Sequence, residues 1–179
     1  MEQTTRILIV GAGIAGLSLA IALRRHGISA EVVERSPAPS SEGAGLYLVG
    51  AATRALQSLG LDQRAIQDGY AIRTQSVFDR DGTLIAETDV DTFWRGAGPC
   101  LGMPRAALHA LLISEAAGAN IRYGVSLETL QQEPPHVVAG FNDGSRENYD
   151  LVVGADGIRS AVRRLEFSNP NTRFRGQVG

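Results

Sequence analysis

One segment near the start of the chain constrains its fold more than any other. Four apolar residues, Ile7–Val10, lead directly into Gly11, Gly13 and Gly16, which have the spacing G-x-G-x-x-G. An apolar segment of helix length follows, and then a second short apolar run that ends at Glu34. A strand, a glycine turn, a helix and a second strand in this order are typical of a dinucleotide-binding β-α-β unit.

Each glycine of this segment has a separate physical task. Gly11 permits a sharp turn at the end of the strand, Gly13 lets a pyrophosphate approach the backbone, and Gly16 lets the helix lie close to the sheet. The first residues of the helix, Ile14 and Ala15, offer unpaired N–H groups and a partial positive charge to phosphates. The segment therefore predicts a nucleotide phosphate site.

Glu34 lies eighteen residues beyond Gly16, at the end of the second predicted strand. From there its carboxylate can accept hydrogen bonds from the 2′- and 3′-hydroxyl groups of a ribose. Its negative charge would repel the 2′-phosphate of NADP. The nucleotide bound at this segment is therefore expected to be FAD or NAD.

A membrane anchor is the alternative interpretation of the same segment. The residues from Ile7 to Leu23 carry no charge and follow Arg6. Their length of seventeen residues is only at the lower limit for a spanning helix. The three glycines fall at motif spacing and no signal-peptide cleavage site is present, so a soluble β-α unit explains more of the segment.

Composition bounds the remaining function classes. The 179 residues suffice for a domain with a hydrophobic core, and 44% hydrophobic and 20% charged residues are ordinary for a soluble globular protein. A net charge of -2 argues against nucleic acid or an anionic membrane as the main partner. The chain has no signal peptide, so a reducing cytoplasm is the expected compartment.

The metal-binding residue types give no pattern. Cys100 is the single cysteine, which excludes a disulfide within the chain and a cysteine cluster, and we expect it to be a small buried hydrophobe. The three histidines, His26, His109 and His136, are scattered without metal-ligand spacing. No metal site is predicted.

The rest of the chain is predicted to alternate short helices and strands. Helices are expected at 51–59, 62–67, 105–117 and 158–165, and strands at 70–79, 83–88, 121–123, 125–131, 137–141 and 150–153. The segment 89–99 is expected to be an irregular loop. The strands at 121–123, 125–131 and 137–141, followed by the hairpin turn Asn142-Asp-Gly144, predict a three-stranded meander over this region.

A second strand, glycine turn and helix is predicted at 150–164, where the sequence is DLVVGADGIRSAVRR. If this strand joins the same parallel sheet, a second helix N-terminus points at the bound nucleotide. Asp156 in the turn can accept N–H groups as a simple helix cap or contact the ligand. The central expectation is that the turns after Val10 and Val153 converge on one dinucleotide.

Together these segments resemble the class A FAD-dependent monooxygenases, the aromatic hydroxylases of the p-hydroxybenzoate hydroxylase fold. The resemblance covers positions 5 to 165 and depends on four stretches in the family's order. The first is GAGIAG with Glu34-Arg35, which resembles the ADP-binding fingerprint, and the second is Gly43–Leu56 with Gly45, which resembles the G-A-G loop beside the isoalloxazine. The third is Met103–Leu112, which resembles the segment whose Arg, here Arg105, reaches FAD. The fourth is Asp150–Arg163, which resembles the Asp-Gly motif.

The resemblance implies an α/β fold. It consists of a Rossmann-like FAD-binding domain with a parallel sheet and a β-meander, followed by the beginning of a mixed-sheet substrate domain. The FAD-binding domain is expected at 1–69 and 100–165, and partial substrate-domain segments at 70–99 and 166–179. Family members continue further, so the chain is expected to be an N-terminal fragment, one half of a cleaved or split enzyme, or a degenerate relative. The partner expected from this resemblance is a complementary C-terminal polypeptide.

The resemblance implies hydroxylation of an aromatic or other electron-rich small molecule. FAD would be the cofactor, NADPH or NADH the reductant, and O2 would react at the flavin to give a C4a-hydroperoxide. In addition to the roles above, Arg105 is expected near the phosphates and Asp156 at the ribityl or pyrophosphate. Arg35 is expected either over the adenine or as a solvated residue at the strand end.

No acid–base residue is assigned. Four side chains are candidates to face the substrate, although a structural role is the simpler interpretation of each: Tyr47, Arg73, Trp94 and Arg95.

Two other function classes stay open at this point. The first is a related FAD enzyme, such as a halogenase, reductase or cyclase, which residues beyond 179 would distinguish. The second is a non-catalytic nucleotide-binding module or an NAD-dependent dehydrogenase domain. The second class predicts a colourless protein, whereas a flavoprotein is yellow.

Overall fold

The computed structural model of the chain describes residues 5–39 and 44–167. The chain divides into two compact units, Met1–Pro39 with Gly118–Gly179 and Ser40–Ala117. Of the substrate-domain segment predicted at 166–179, residues 168–179 lie outside the described ranges, as does Gly43 of the predicted G-A-G loop.

Twelve strands and six helices make up the described ranges. In chain order they are β1 (Ile7–Val10), α1 (Ile14–Arg25), β2 (Ala30–Glu34), β3 (Gly45–Leu48), α2 (Gly50–Ser58), α3 (Asp62–Asp68), β4 (Tyr70–Ala71), β5 (Thr74–Phe78), β6 (Leu84–Asp89), α4 (Val90–Phe93), β7 (Leu101–Pro104), α5 (Arg105–Glu115), β8 (Asn120–Tyr123), β9 (Leu127–Glu133), β10 (His136–Phe141), β11 (Arg146–Tyr149), β12 (Leu151–Gly154) and α6 (Ala161–Glu166).

The first unit is built on a four-stranded parallel sheet with the order β12-β1-β2-β8. The β-α-β unit predicted from the glycine motif is confirmed, with β1 between β12 and β2. Helix α1 packs on this sheet, and its Leu17 and Ile21 are fully buried. The membrane-anchor alternative is therefore wrong, because Ile7–Val10 is a buried strand that pairs on both sides.

A three-stranded antiparallel meander, β9-β10-β11, belongs to the same unit. Its Leu127, Phe141 and Tyr149 form one buried cluster with Leu8 and Val10 of the parallel sheet. The meander was predicted, but its membership differs from the prediction. The strand expected at 121–123 pairs with β2 in the parallel sheet instead, and β11 completes the meander.

The second unit contains a three-stranded sheet, β3-β7-β4, and a two-stranded hairpin, β5-β6. Its buried residues come from β7 and from helices and loops of the same unit, and include Leu61, Val90, Leu101 and Leu112. Cys100 is 1% exposed, so its predicted burial is confirmed.

Two predictions for this unit are wrong in detail. The strand expected at 70–79 is two strands in different sheets, because Ile72 N–H donates to the Cys100 carbonyl while the Arg73 carbonyl accepts from Val90 N–H. The expected loop 89–99 begins with the short helix α4. Asp89 caps this helix by accepting a 3.1 Å hydrogen bond from Thr92 N–H.

The last helix also begins later than predicted. A start at Ile158 was expected, but α6 begins at Ala161. Gly157 has a φ of +75°, which an α-helix does not contain, and Ser160 at the N-cap position accepts a hydrogen bond from Arg163 N–H.

Within the described ranges, no helix combines the length and apolar character needed to cross a bilayer. The same ranges contain no group of three or more His, Cys, Asp or Glu side chains placed to hold a metal ion.

Candidate functional site

The two glycine turns of the parallel sheet contact each other. Val10 is the register partner of Gly154, and the N–H of Ala155 donates a 2.8 Å hydrogen bond to the Val10 carbonyl. Gly11 has a φ of +108°, and a Cβ at this position would lie 2.6 Å from the Ala155 carbonyl oxygen. The expected convergence of the two strand ends is therefore present, and a side chain at Gly11 would prevent it.

The glycine turn leads into an open helix N-terminus. A Cβ at Gly16 would lie 1.9 Å from the Gly11 carbonyl oxygen, so α1 can approach the turn only because residue 16 is glycine. A Cβ at Gly13 would meet nothing within 4 Å. Gly13 is the N-cap of α1 and no side chain caps the helix, which leaves the N–H groups of Ile14 and Ala15 available to an anion.

Glu34 lies at the end of β2, half-buried beside the turn. Its Oε2 accepts a 2.9 Å hydrogen bond from Ala12 N–H, and its Oε1 accepts a 2.8 Å hydrogen bond from Ser36 N–H. The position of Glu34 in the sequence predicts a ribose contact for this carboxylate, but it does not predict either backbone partner. Arg35 follows it and is exposed to solvent.

A third strand end belongs to the same edge of the sheet. Tyr123 is the register partner of Glu34, and Gly124 N–H donates to the Ser36 carbonyl at 2.9 Å. Burial raises the pKa of the Tyr123 hydroxyl, and the negative charge of Glu34 adds to this increase. Tyr123 was not among the predicted site residues, although the glycine directly after its strand repeats the pattern of the other strand ends.

Asp156 caps α6 from the second glycine turn. Its Oδ2 accepts hydrogen bonds from Ala161 N–H at 2.5 Å and Val162 N–H at 3.3 Å, as the helix-cap interpretation predicts. Its Oδ1 is buried and has no hydrogen-bond partner among the described residues. One face of this carboxylate is thus held by the protein, and the other lacks a donor.

Two arginines of α6 donate hydrogen bonds to backbone carbonyls of residues 158–160, which directly follow the second glycine turn. Arg163 Nη2 donates a 2.5 Å hydrogen bond to the Ile158 carbonyl, and Arg164 Nη1 donates to the carbonyls of Arg159 and Ser160. These two arginines were not among the predicted site residues. Their position in the first turn of α6 was the available signal, because helix side chains tilt toward the N-terminus.

In the second unit, Gly45 and Arg105 lie next to each other. Gly45 is the register partner of Pro104 across the β3-β7 pair, and Arg105 N–H donates a 3.1 Å hydrogen bond to the Ala44 carbonyl. Arg105 is the first residue of α5 and is half-buried. Two of the predicted FAD contacts are thus brought together by one strand pair.

The four substrate candidates are not all at one place. Trp94 and Arg95 line a cavity of about 500 Å³ together with Arg54 of α2. Tyr47 lies on β3 and Arg73 follows β4, and neither is among the described residues that line this cavity.

The chain matches a known protein family over nearly its whole length. Residues 4–173 match the family described as FAD binding domain. Aurachin C monooxygenase/isomerase of Stigmatella aurantiaca is 33% identical over 177 residues, which are 98% of this chain and 46% of that protein. The 3-amino-4-hydroxybenzoate 2-monooxygenase of Streptomyces cremeus is 34% identical over 92% of this chain and 42% of its own length.

A solved structure of a protein with bound FAD is also similar to this chain. The R204Q variant of HpxO from Klebsiella pneumoniae, crystallised with FAD, superimposes with a TM-score of 0.79 at 25% identity, over 89% of this chain and 41% of that chain. The chain spans less than half the length of these relatives. It belongs to the FAD-binding domain family and corresponds to the N-terminal part of class A FAD-dependent monooxygenases.

Proposed function

We propose that this chain is the FAD-binding portion of a monooxygenase that uses NADPH or NADH and O2 to hydroxylate an aromatic or other electron-rich small molecule. The observation that carries the proposal is the contact between the two glycine turns, which brings the two strand ends that we propose to bind FAD to one edge of the sheet. The relatives supply the reaction class, since two of them are named monooxygenases.

The glycine turn fits the pyrophosphate of a dinucleotide. The space beside Gly13 is open, and the N–H groups of Ile14 and Ala15 have neither an acidic residue in the first turn nor a side-chain cap to neutralise them. Such a helix terminus stabilises a phosphate through its N–H groups and its dipole. These residues would hold the pyrophosphate, with Gly11 and Gly16 allowing the close approach.

Asp156 fits a hydroxyl-bearing part of FAD better than a phosphate. Its carboxylate is negative and its buried Oδ1 lacks a donor, so an anion would be repelled whereas a hydroxyl would satisfy it. We therefore place the ribityl chain of FAD, rather than the pyrophosphate, at Oδ1. The cap made by Oδ2 would keep the carboxylate oriented toward that chain.

The remaining contacts follow the family pattern. Glu34 would bind the ribose of the adenosine, Arg35 the adenine, and Arg105 the phosphates. Gly45 would lie beside the isoalloxazine. We keep 1–69 and 100–165 as the FAD-binding domain and 70–99 and 166–179 as substrate-domain segments.

Bound FAD would supply the redox chemistry, accepting a hydride from the nicotinamide and delivering one oxygen atom of O2 to the substrate. The residues of this chain would bind the cofactor, orient it and exclude water from it. No side chain is assigned to proton transfer. The named substrate of one relative, 3-amino-4-hydroxybenzoate, is an electron-rich aromatic of the proposed class.

A complementary C-terminal polypeptide is also part of the proposal. The hairpin β5-β6 pairs with no further strand among residues 5–39 and 44–167, and it exposes apolar side chains, with Phe78 57% and Ile85 65% exposed. Two strands alone are marginally stable in water. Further strands from a second polypeptide would bury these side chains and complete a substrate domain.

Native mass spectrometry of the purified protein tests the proposal. We expect the chain to carry FAD and to co-purify with a second polypeptide when both are expressed. A colourless chain that retains NAD and no flavin would instead support a dehydrogenase domain and contradict the proposal.

A further inference from the structure

The carboxylate of Glu34 is engaged by the backbone on both of its oxygens. Oε2 accepts from Ala12 N–H in the glycine turn, and Oε1 accepts from Ser36 N–H in the segment after β2. Hydrogen bonds from an N–H to an ionised acceptor are among the stronger ones in proteins. The side chain therefore joins two backbone segments within the first unit.

These segments are themselves tied to the parallel sheet. Gly11 N–H donates to the Val33 carbonyl at 2.7 Å, which holds the start of the glycine turn against β2. Ser36 is held from the other side, because its carbonyl accepts from Gly124 N–H after β8. Glu34 is the side-chain link that connects Ala12 to this framework.

We propose that Glu34 is a positioning residue, which holds the glycine turn in its phosphate-binding shape before any nucleotide binds. This inference rests on the proposed function of the turn. An ionised carboxylate offers about four acceptor sites, of which the two backbone N–H groups use two. The remaining sites can accept the ribose hydroxyls, so positioning and ribose binding are compatible.

The two roles make opposite predictions for Glu34→Gln. A glutamine has nearly the same shape and can still exchange hydrogen bonds with ribose hydroxyls. It has only one acceptor oxygen, however, and its NH2 group would face one of the two backbone N–H donors. Glu34→Gln should therefore disturb the glycine turn almost as much as Glu34→Ala.

The first experiment separates the turn from the ribose by using two ligands. Calorimetry with ADP and with 2′,3′-dideoxy-ADP is performed on the wild-type chain and on Glu34→Gln. The dideoxy compound lacks the hydroxyls that Glu34 would bind. We expect Glu34→Gln to weaken binding of the dideoxy compound by about tenfold, which corresponds to the loss of one hydrogen bond to a charged acceptor. Equal affinities of both proteins for the dideoxy compound would overturn the positioning role.

The second experiment needs no ligand. Amide hydrogen exchange in the ligand-free chain should become at least about tenfold faster at Ala12 and Ser36 in Glu34→Gln, because their acceptors are lost or misplaced. Exchange at Leu8 in the middle of β1 should not change, which excludes general unfolding. Glu128→Gln on the exposed face of β9 is the matched control and should leave all three amides unchanged.

The outcomes distinguish this inference from the proposed function. If the wild-type chain binds neither ADP nor FAD, the proposed function fails, and the exchange rates of Ala12 and Ser36 still decide the positioning role. If both ligands bind and these two amides exchange equally fast in wild type and Glu34→Gln, the positioning role is wrong while the nucleotide site stands.

Discussion

Gly13 and Gly16 lie three residues apart at the start of α1, and the protein's own packing requires glycine at only one of these two positions. Gly16 is required by the protein itself, since any Cβ would overlap the Gly11 carbonyl oxygen. Gly13 has open space around it and a φ of -78°, which other residues adopt readily. Only a bound ligand would give Gly13 a reason to be glycine.

Gly16→Ala should therefore destabilise the fold. The added methyl would lie 1.9 Å from a backbone oxygen that cannot move without displacing the turn. We expect the free energy of unfolding to fall by about 3 kcal/mol or more, at the upper end for overpacking. Urea denaturation followed by circular dichroism measures this, and wild-type stability would contradict the close packing.

Gly13→Ala should leave the fold intact and weaken the binding of FAD. The methyl group meets no protein atom, so unfolding should change by less than about 1 kcal/mol, chiefly through the poorer helix cap. A pyrophosphate at the turn would meet the methyl, and we expect at least about tenfold weaker FAD binding. Unchanged affinity in a fluorescence titration would place the pyrophosphate elsewhere.

The glycine spacing was sufficient to predict the backbone tasks of Gly11 and Gly16, because a Cβ at either position would overlap a backbone oxygen. It was not sufficient to predict the hydrogen-bond partners of Glu34 and Asp156. The partners of Glu34 and the cap made by Asp156 depend on how the side chains lie after the strands have paired, which local sequence does not specify.

Between elements, a polar cluster links the parallel sheet to the meander. Glu31 of β2 accepts 2.9 Å hydrogen bonds from Arg122 of β8 and from the hydroxyl of Tyr149 of β11. Burial raises the pKa of Tyr149, and the hydrogen bond to Glu31 raises it further. The Tyr149 hydroxyl therefore stays a donor over the physiological pH range.

Tyr149→Phe removes this donor without changing the packing of the ring. We expect the free energy of unfolding to fall by about 2 kcal/mol, as for other hydrogen bonds to charged groups. Tyr70→Phe is the matched control, because Tyr70 is 79% exposed. Equal stability of the two variants in urea denaturation would show that the link contributes nothing.

The Asp150 side chain contacts residues at the starts of β1 and β10, and Asp150 itself directly precedes β12. We therefore expect the free energy of unfolding to depend on the protonation of Asp150. Arg6 N–H donates to it at 2.7 Å and His136 Nδ1 lies 3.0 Å away. The Arg6 N–H, followed by His136, lowers the pKa of the Asp150 carboxyl. A lowered folded-state pKa contributes stability above the unfolded value of about 3.9, and this contribution is lost as pH falls through the lower folded value.

Asp150→Asn should therefore be less stable than wild type near neutral pH and should lose less stability below about pH 4. Urea midpoints measured from neutral to acidic pH check this. Asp68→Asn, at the exposed end of α3, controls for the change in net charge. Parallel pH curves for wild type and Asp150→Asn would contradict the linkage.

At the scale of elements, the sequence predicted most strands and helices but only some of their sheet partners. The apolar run Ile7–Val10 is recognisable because every residue of this strand is buried. The division of 70–79 between two sheets and the pairing of β8 with β2 depend on contacts between residues distant in sequence.

At the scale of the whole molecule, the exposed hairpin β5-β6 should make the isolated chain associate with itself. Apolar side chains on an unpaired strand edge promote pairing between copies. Sedimentation velocity should show species larger than 19.0 kDa, and Phe78→Ser combined with Ile85→Ser should reduce them. A monodisperse wild-type monomer of 19.0 kDa across micromolar concentrations would remove the reason for a complementary polypeptide.

The most direct test of the account is an equilibrium titration of the ligand-free chain with FAD, followed by flavin absorbance and fluorescence. Two converging glycine turns predict saturation at one FAD per chain and displacement of FAD by ADP, which occupies the same turn. Failure to bind FAD, with saturable binding of NAD in its place, would contradict the flavoprotein assignment.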